Sequence, residues 1–136
     1  MSYSRDQLPA VVVDYATAYG IDPGVALAQI KRESWNFRPD VVYGPYVGAA
    51  GERGVAQFTP GTWARFGSGD PYNPDDSLRA WGDYMTWLLA RYGGDYSLAL
   101  QGYNGGEGHV DQGRVSSAAQ TYAREILAAA QSTPIS

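Results

Sequence analysis

Residues 22–34 read DPGVALAQIKRES, which is the pattern of a helix with one buried side. Asp22 suits the N-cap, and Pro23 suits the first helical position, where its missing N–H is not needed. Ile30 and Glu33 are three residues apart and therefore share a face of the helix. The segment predicts a helix that ends near residue 34 and turns an acidic side chain towards the interior.

A carboxyl group at the inward end of a helix is costly to ionise, and the negative helix C-terminus adds to this cost. We therefore expect the pKa of Glu33 to be raised, so that the group stays protonated near neutral pH and can act as a general acid. The structural alternative is a buried glutamate paired with an arginine, for which Arg38 and Arg53 are candidates. Helical spacing alone leaves both interpretations open.

The rest of the chain alternates helical patterns with loops rich in glycine and proline. Apolar periodicity and capping residues predict further helices at about residues 6–19, 60–66, 74–92, 95–103 and from 117 onwards. The residues around Gly44-Pro45 give a weak hairpin signal. The predicted fold class is mainly α, a compact helical domain with at most a small β-hairpin near residues 41–47. We expect one domain over residues 1–136, with a loose tail at 130–136.

Three further segments carry side chains suited to ligand contact. Gln57 follows a glycine-rich loop whose backbone can approach a ligand, although a plain turn is the alternative. Tyr103 and Asn104 stand at a predicted helix end, where asparagine also serves as a C-terminal cap. Tyr122 lies on the apolar stripe of the last helix, and periodicity alone predicts that it belongs to the core.

Composition excludes several classes of function. The chain has no cysteine and one histidine, His109, which rules out thiol nucleophiles and multi-histidine metal sites. We expect His109 to be a solvated loop residue, and we expect no metal or cofactor. The net charge of −4, the pI of about 4.7 and the lack of a lysine-arginine cluster argue against nucleic-acid binding. No segment predicts a membrane span or a secretory signal.

Four blocks, taken in order, resemble the catalytic domain of the soluble lytic transglycosylases, within the lysozyme-like superfamily. Glu33-Ser34 matches the family's Glu-Ser pair. Residues 54–60, GVAQFTP, resemble its Gly-Leu-Met-Gln-Leu-Met-Pro block, and residues 103–106, YNGG, resemble the end of its Ala-Tyr-Asn-Ala-Gly block. Tyr122-Ala123 resembles the Tyr-Val element of its last helix.

The chain also departs from the family pattern. Val55-Ala56 replaces Leu-Met beside Gln57, and Gly102 replaces the alanine before the tyrosine of the third block. The loop between the first and second blocks fits the usual spacing poorly. We therefore expect a cleft of altered shape in this region.

The resemblance implies an α+β lysozyme-like fold and a peptidoglycan lytic transglycosylase. Glu33 would protonate the glycosidic oxygen between N-acetylmuramic acid and N-acetylglucosamine. It would then act as base on the sugar's own 6-hydroxyl, which leaves a 1,6-anhydro end. The residues implied to line the cleft, and to orient the glycan or the catalytic carboxyl, are Ser34, Gln57, Tyr103, Asn104 and Tyr122.

Two other functions stay open. A hydrolytic muramidase on the same fold would use water in place of the 6-hydroxyl, and ordinary glycosidases need a second carboxylate roughly 5–9 Å from the first. The loop and helix-start candidates for it are Asp40, Glu52, Asp70, Asp75 and Asp76. None lies in a block that matches such a role, which favours a single-carboxylate route. The other alternative is a non-catalytic glycan-binding or structural virion protein.

The missing signal pattern bears on the biological context. Cellular members of the family must cross the inner membrane, so a short chain without a signal or cysteine resembles a phage product. We expect a virion component or an endolysin that acts on the host wall in the periplasm or from outside. The expected partners are bacterial peptidoglycan glycan strands and, for a virion component, other phage virion proteins. Neither nucleic-acid binding nor stable membrane insertion is expected.

Overall fold

The structure, a computed structural model, describes residues 2–132 and is almost entirely helical. Within these residues a short 3-10 turn at Arg5–Gln7 precedes eight helices, which are α1 (Leu8–Tyr19), α2 (Pro23–Ser34), α3 (Pro39–Val42), α4 (Pro60–Phe66), α5 (Pro74–Arg91), α6 (Tyr96–Gly105), α7 (Glu107–Asp111) and α8 (Ser117–Ser132). None of them has the length and apolar character needed to cross a membrane. The predicted, mainly α fold class is confirmed.

Polar N-caps followed by proline start α2 and α5, as the sequence indicated. The Asp22 carboxylate accepts hydrogen bonds from the amides of Gly24 (2.8 Å) and Val25 (3.3 Å) at the start of α2. The Asn73 side chain accepts one from the amide of Asp76 (3.1 Å) at the start of α5. These bonds satisfy amides that a helix start leaves without intrahelical partners. Both helices therefore begin at a fixed residue, which sets the direction of the side chains along them.

One hydrophobic core joins the helices. Helix α8 packs against α2 and α6, while α5 packs against α1 and α6. Five helices contribute large side chains that are fully buried, among them Leu8, Ile30, Trp81, Met85, Leu100 and Ile126. Complete burial of such a side chain stabilises the fold by about 1.5–3 kcal/mol. The shared core therefore holds α2 and α8, which are far apart in sequence, side by side.

The hairpin predicted at residues 41–47 is wrong. Pro39 opens a helical turn, α3, which contains Val41 and Val42, and both valines are buried. Their β-branched side chains favour a strand, but proline at the first helical position fixes a φ that suits a helix. Between residues 2 and 132 the only β-pairing is an isolated antiparallel bridge, Arg53 with Phe58.

Two predictions about loops are also corrected. The predicted loop at His109 is a short helix, α7, although the side chain is exposed as expected. Helix α8 continues to Ser132, into the tail predicted at residues 130–136, because Ala130 still packs against the core. Residues 133–136 of that predicted tail lie outside the described part of the chain.

Candidate active site

Glu33 lies in the last turn of α2, where its side chain is half-buried. The Tyr122 hydroxyl, on α8, donates a 2.7 Å hydrogen bond to Glu33 Oε2. Arg38 instead pairs with Asp40, with N–O distances of 2.6 and 2.7 Å. Across residues 2–132, neither Arg38 nor Arg53 forms an ion pair with Glu33. The alternative of a structural glutamate–arginine pair therefore does not hold.

Burial raises the pKa of Glu33 to about 7. The hydrogen bond from Tyr122 and the positive charge of Arg32 lower the pKa, because both favour the carboxylate. The negative charge of Glu52 raises it further. A carboxyl group with this pKa is divided between its protonated and ionised forms near neutral pH, which suits a group that donates a proton and takes one back.

A chain of hydrogen bonds leads from the core to Glu33. The indole N–H of Trp81 donates to Gln29 Oε1 (2.9 Å), and Gln29 Nε2 donates to the Tyr122 hydroxyl (3.1 Å), which in turn donates to Glu33. Gln29 and Trp81 are fully buried, and Tyr122 is 3% exposed. Gln29 precedes Glu33 by one helical turn on α2, while α5 and α8 supply the other two residues.

The loop that carries Gln57 is fixed by its backbone and by Tyr103. At Gly54 φ is +82°, and a Cβ there would lie 1.9 Å from the Pro71 carbonyl oxygen, so only glycine fits. The Tyr103 hydroxyl donates to the Ala56 carbonyl (2.6 Å), and Gln57 Nε2 donates to the Gly54 carbonyl (3.0 Å). A small cavity of about 30 Å³ lies beside this loop and is lined by Gln57, Phe58, Thr59, Thr62, Tyr84 and Tyr103.

The structure brings four of the six predicted site residues together. Burial, and after it the nearby charge of Glu33, raises the pKa of Tyr103 and of Tyr122 well above the ordinary value of 10. Both phenols therefore lie close to the Glu33 carboxyl group. Gln57 joins them through the cavity it shares with Tyr103. Tyr122 is both a core residue, as periodicity predicts, and a neighbour of Glu33, as the family resemblance implies.

The other two predicted residues lie apart from this group. Ser34 is fully buried, and its hydroxyl donates to the Ile30 carbonyl (2.7 Å) and accepts from the Phe37 amide (2.9 Å). Ser34 therefore closes the end of α2 rather than lining a cleft. Asn104 is exposed in the last turn of α6, and Gly106 occupies the C-cap, so the alternative of an asparagine cap does not hold.

The segment directly after α2 is strained and exposes an aromatic ring. Trp35, Asn36 and Phe37 have φ values of 51°, 57° and 61°, and the left-handed region costs a non-glycine residue roughly 1–2 kcal/mol. Phe37 is buried, whereas Trp35 is 53% exposed with the Arg38 guanidinium carbon 4.3 Å from its ring centre. An exposed indole two residues from Glu33 offers a face on which a sugar ring can pack.

Sequence reasoning missed the roles of Gln29 and Trp81, and it named Glu52 only as one of five candidates for a second carboxylate. Gln29 carried a usable signal, because it is a polar residue four positions before Glu33 on an otherwise apolar stripe. Trp81 carried none beyond its place on the buried face of α5. Glu52 becomes a neighbour of Glu33 because its loop folds back, with the Glu52 carboxylate accepting from the Ala50 amide (2.8 Å).

Comparison with known proteins gives consistent results. Residues 11–126 match the family model described as Transglycosylase SLT domain. The chain is similar to an inactive mutant of the lytic transglycosylase Slt from Pseudomonas aeruginosa, with a TM-score of 0.72 at 21% identity over 89% of this chain and 23% of that one. The 70-kDa soluble lytic transglycosylase of Escherichia coli is similar with a TM-score of 0.70 at 22% identity, again over 89% of this chain and 23% of that one.

A complex of the 70-kDa soluble lytic transglycosylase with bulgecin A is also similar, with a TM-score of 0.73 at 21% identity over 89% of this chain and 23% of that one. The chain thus spans about a quarter of the length of the solved enzymes that it matches. At this level of identity, the structural similarity shows a shared fold.

Proposed function

Since the chain belongs to the Transglycosylase SLT domain family, we propose that it is a peptidoglycan lytic transglycosylase with Glu33 as its acid/base catalyst. Its substrate is the glycan strand of bacterial peptidoglycan, cut at the β-1,4 bond between N-acetylmuramic acid and N-acetylglucosamine. The observation that carries this proposal is the Glu33 carboxyl group, with a pKa of about 7 and a hydrogen bond from Tyr122.

The reaction uses one carboxyl group twice. Protonated Glu33 donates its proton to the glycosidic oxygen as the bond from that oxygen to the anomeric carbon of N-acetylmuramic acid breaks. The 6-hydroxyl oxygen of the same sugar then bonds to the anomeric carbon, and its proton passes to the Glu33 carboxylate. Glu33 is thereby restored to its starting form and no water is consumed. A group that works in both directions needs a pKa near the working pH.

The surrounding residues support this chemistry in different ways. Tyr122 stabilises the carboxylate formed after the first proton transfer, because its hydroxyl donates to Oε2. Tyr103 fixes the loop that carries Gln57 through its bond to Ala56, and the Gln57 and Asn104 amides are proposed to contact the glycan. Ser34 acts indirectly by closing the end of α2.

The negative charge of Glu52 raises the pKa of Glu33, so the two carboxyl groups are near each other. This favours a second candidate function, that of a hydrolytic muramidase on the same fold. A second carboxylate close to the acid is what an enzyme needs to activate water. Glu52 is only partly available to activate water, since its carboxylate already accepts a hydrogen bond from the Ala50 amide. In this alternative the 6-hydroxyl takes no part, and the product gains one water.

The products separate these functions. Purified sacculi would be digested with the parent, with Glu33→Gln and with Asp14→Asn, which removes an exposed carboxylate from α1. Mass spectrometry should find 1,6-anhydro-N-acetylmuramic acid ends with the parent and Asp14→Asn, and release lowered by more than about 100-fold with Glu33→Gln. Reducing ends alone would establish the hydrolase. Binding to sacculi without release by the parent would establish a glycan-binding protein.

The proposed context is a phage product, either a virion component or an endolysin, which meets the wall in the periplasm or from outside. This stays a prediction from the sequence. Adding the purified protein to intact cells and to cells with a permeabilised outer membrane compares the two routes of access. Lysis of intact cells would favour attack from outside.

A further inference from the structure

Gln29 is a buried polar residue in the core side of α2. A buried amide is costly unless its hydrogen bonds are satisfied. Its Oε1 accepts from the Trp81 indole at 2.9 Å, its Nε2 donates to the Tyr122 hydroxyl at 3.1 Å, and the same Nε2 lies 3.9 Å from Met85 Sδ. The amide is therefore paired on both sides, and one of its partners contacts Glu33.

The direction of each bond in this chain follows from its first member. An indole N–H can only donate, so the Gln29 atom facing Trp81 must be the oxygen. The amide nitrogen then faces Tyr122 and donates to its hydroxyl oxygen. The phenol has a single proton, which is directed to Glu33 Oε2 at 2.7 Å. The side-chain orientation that is usually ambiguous for glutamine is thus determined here by Trp81.

We propose that Gln29 and Trp81 are positioning residues that hold the Tyr122 hydroxyl as a donor, so that the acidic proton of Glu33 resides on Oε1. Because the single proton of Tyr122 points at Oε2, the phenol oxygen cannot at the same time accept a proton from Oε2. The proton that the enzyme transfers is therefore held on the other oxygen. This inference rests on the proposed catalytic role of Glu33, and it adds the residues that decide which oxygen delivers the proton.

The charged and titratable groups around Glu33 come from four elements. They are Arg32 on α2, Glu52 in the loop before α4, Tyr103 on α6 and Tyr122 on α8. A change at Trp81 or Gln29 leaves all four in place. A change in the pKa of Glu33 in such variants therefore reports on the direction of the Tyr122 bond.

Trp81→Phe removes the donor that orients Gln29. The amide can then turn its oxygen towards Tyr122, the phenol can donate to that oxygen, and protonated Oε2 can donate to the phenol. The neutral acid gains a hydrogen bond while the carboxylate loses one, so the pKa of Glu33 should rise by about one pH unit. The proton would also occupy the unproductive oxygen, so kcat should fall about tenfold with KM changed much less.

The test is a titration of the Glu33 side-chain carbon by NMR in ¹³C-glutamate-labelled protein, together with kcat and KM on sacculi. Met85→Leu is the matched control, since it alters the same core layer without removing a directing donor. The proposal expects an upward pKa shift with Trp81→Phe and none with Met85→Leu. Equal pKa values in all three proteins would overturn it. Because the titration needs no substrate, it distinguishes failure of this inference from failure of the proposed function.

A second variant and a measurement on the parent keep the proposal testable if Trp81→Phe does not fold. Gln29→Met keeps an unbranched side chain but removes the only oxygen to which the phenol could turn its proton, so the pKa of Glu33 should rise less than with Trp81→Phe. In the parent, the indole proton of Trp81 and the side-chain amide of Gln29 should both shift with the midpoint of Glu33. The absence of that midpoint from both signals would contradict a connected chain.

Discussion

Tyr122 and Glu33 are 89 positions apart in sequence, yet the hydroxyl of the first donates a 2.7 Å hydrogen bond to the carboxyl group of the second. Helix α8, which carries Tyr122, packs directly on α2. Burial favours the neutral form of Glu33, and the bond from Tyr122 favours the ionised form. The effect of burial is the larger, because the pKa is raised to about 7.

Tyr122→Phe should raise the pKa of Glu33 above that of the parent, because the carboxylate loses its donor. The variant also leaves the Gln29 side-chain nitrogen with only the Met85 sulfur as a hydrogen-bond partner, which should destabilise the fold by about 1–3 kcal/mol. The pH dependence of wall lysis and denaturant unfolding measure the two effects. The control is Tyr19→Phe, which removes a tyrosine hydroxyl at the end of α1 that donates to the Arg79 carbonyl.

Glu52→Gln should have the opposite effect on the pKa of Glu33. A nearby negative charge disfavours ionisation, so its removal should lower the pKa, by less than about one pH unit since Glu52 is the smallest influence on it. The alkaline limb of kcat/KM should move to lower pH, while Asp14→Asn leaves it in place. An unchanged product pattern would exclude Glu52 as the base for water.

Activity should not depend on a divalent metal. The proposed chemistry uses one carboxyl group, the chain has no cysteine and one histidine, and no group of three acidic or histidine residues between residues 2 and 132 could hold a metal ion. Lysis of sacculi should therefore survive EDTA at unchanged rate. Loss of activity in EDTA that a divalent ion restores would contradict the single-carboxylate route.

The helices and the direction of Glu33 could be predicted because they depend on local signals. Asp22 and Asn73 cap their helices, and three-residue spacing places Glu33 beside Ile30. The hairpin prediction was wrong because the two buried valines belong to a helical turn, α3, that the hydrophobic pattern did not indicate.

The surroundings of Glu33 could not be predicted in the same way. The bond between Gln29 and Trp81 joins residues 52 positions apart and requires the position of α5 relative to α2 to be known. For Ser34 the family motif was misleading. The motif suggested a contact with the glycan, but the Ser34 hydroxyl is hydrogen-bonded to backbone groups at the end of α2.

The raised pKa of Glu33 makes a prediction about stability that needs no substrate. Its ordinary pKa is 4.5 and its folded value is about 7, so between these values the folded state holds a proton that the unfolded state has released. The stability that Glu33 provides when protonated is therefore complete below pH 4.5 and is lost as the pH rises through 7.

Glu33→Gln keeps the shape of the side chain and removes its charge, so the variant should escape this loss. At pH 8 it should be more stable than the parent by up to about 3 kcal/mol, and near pH 4 the difference should nearly vanish. Paired urea unfolding of the two proteins at both pH values measures it, with Asp14→Asn as an exposed control that should follow the parent. A variant markedly less stable than the parent at pH 8 would mean that the ionised carboxylate stabilises the fold. Glu33 would then be a structural residue, and the case for it as the catalytic acid would fail with the stability argument.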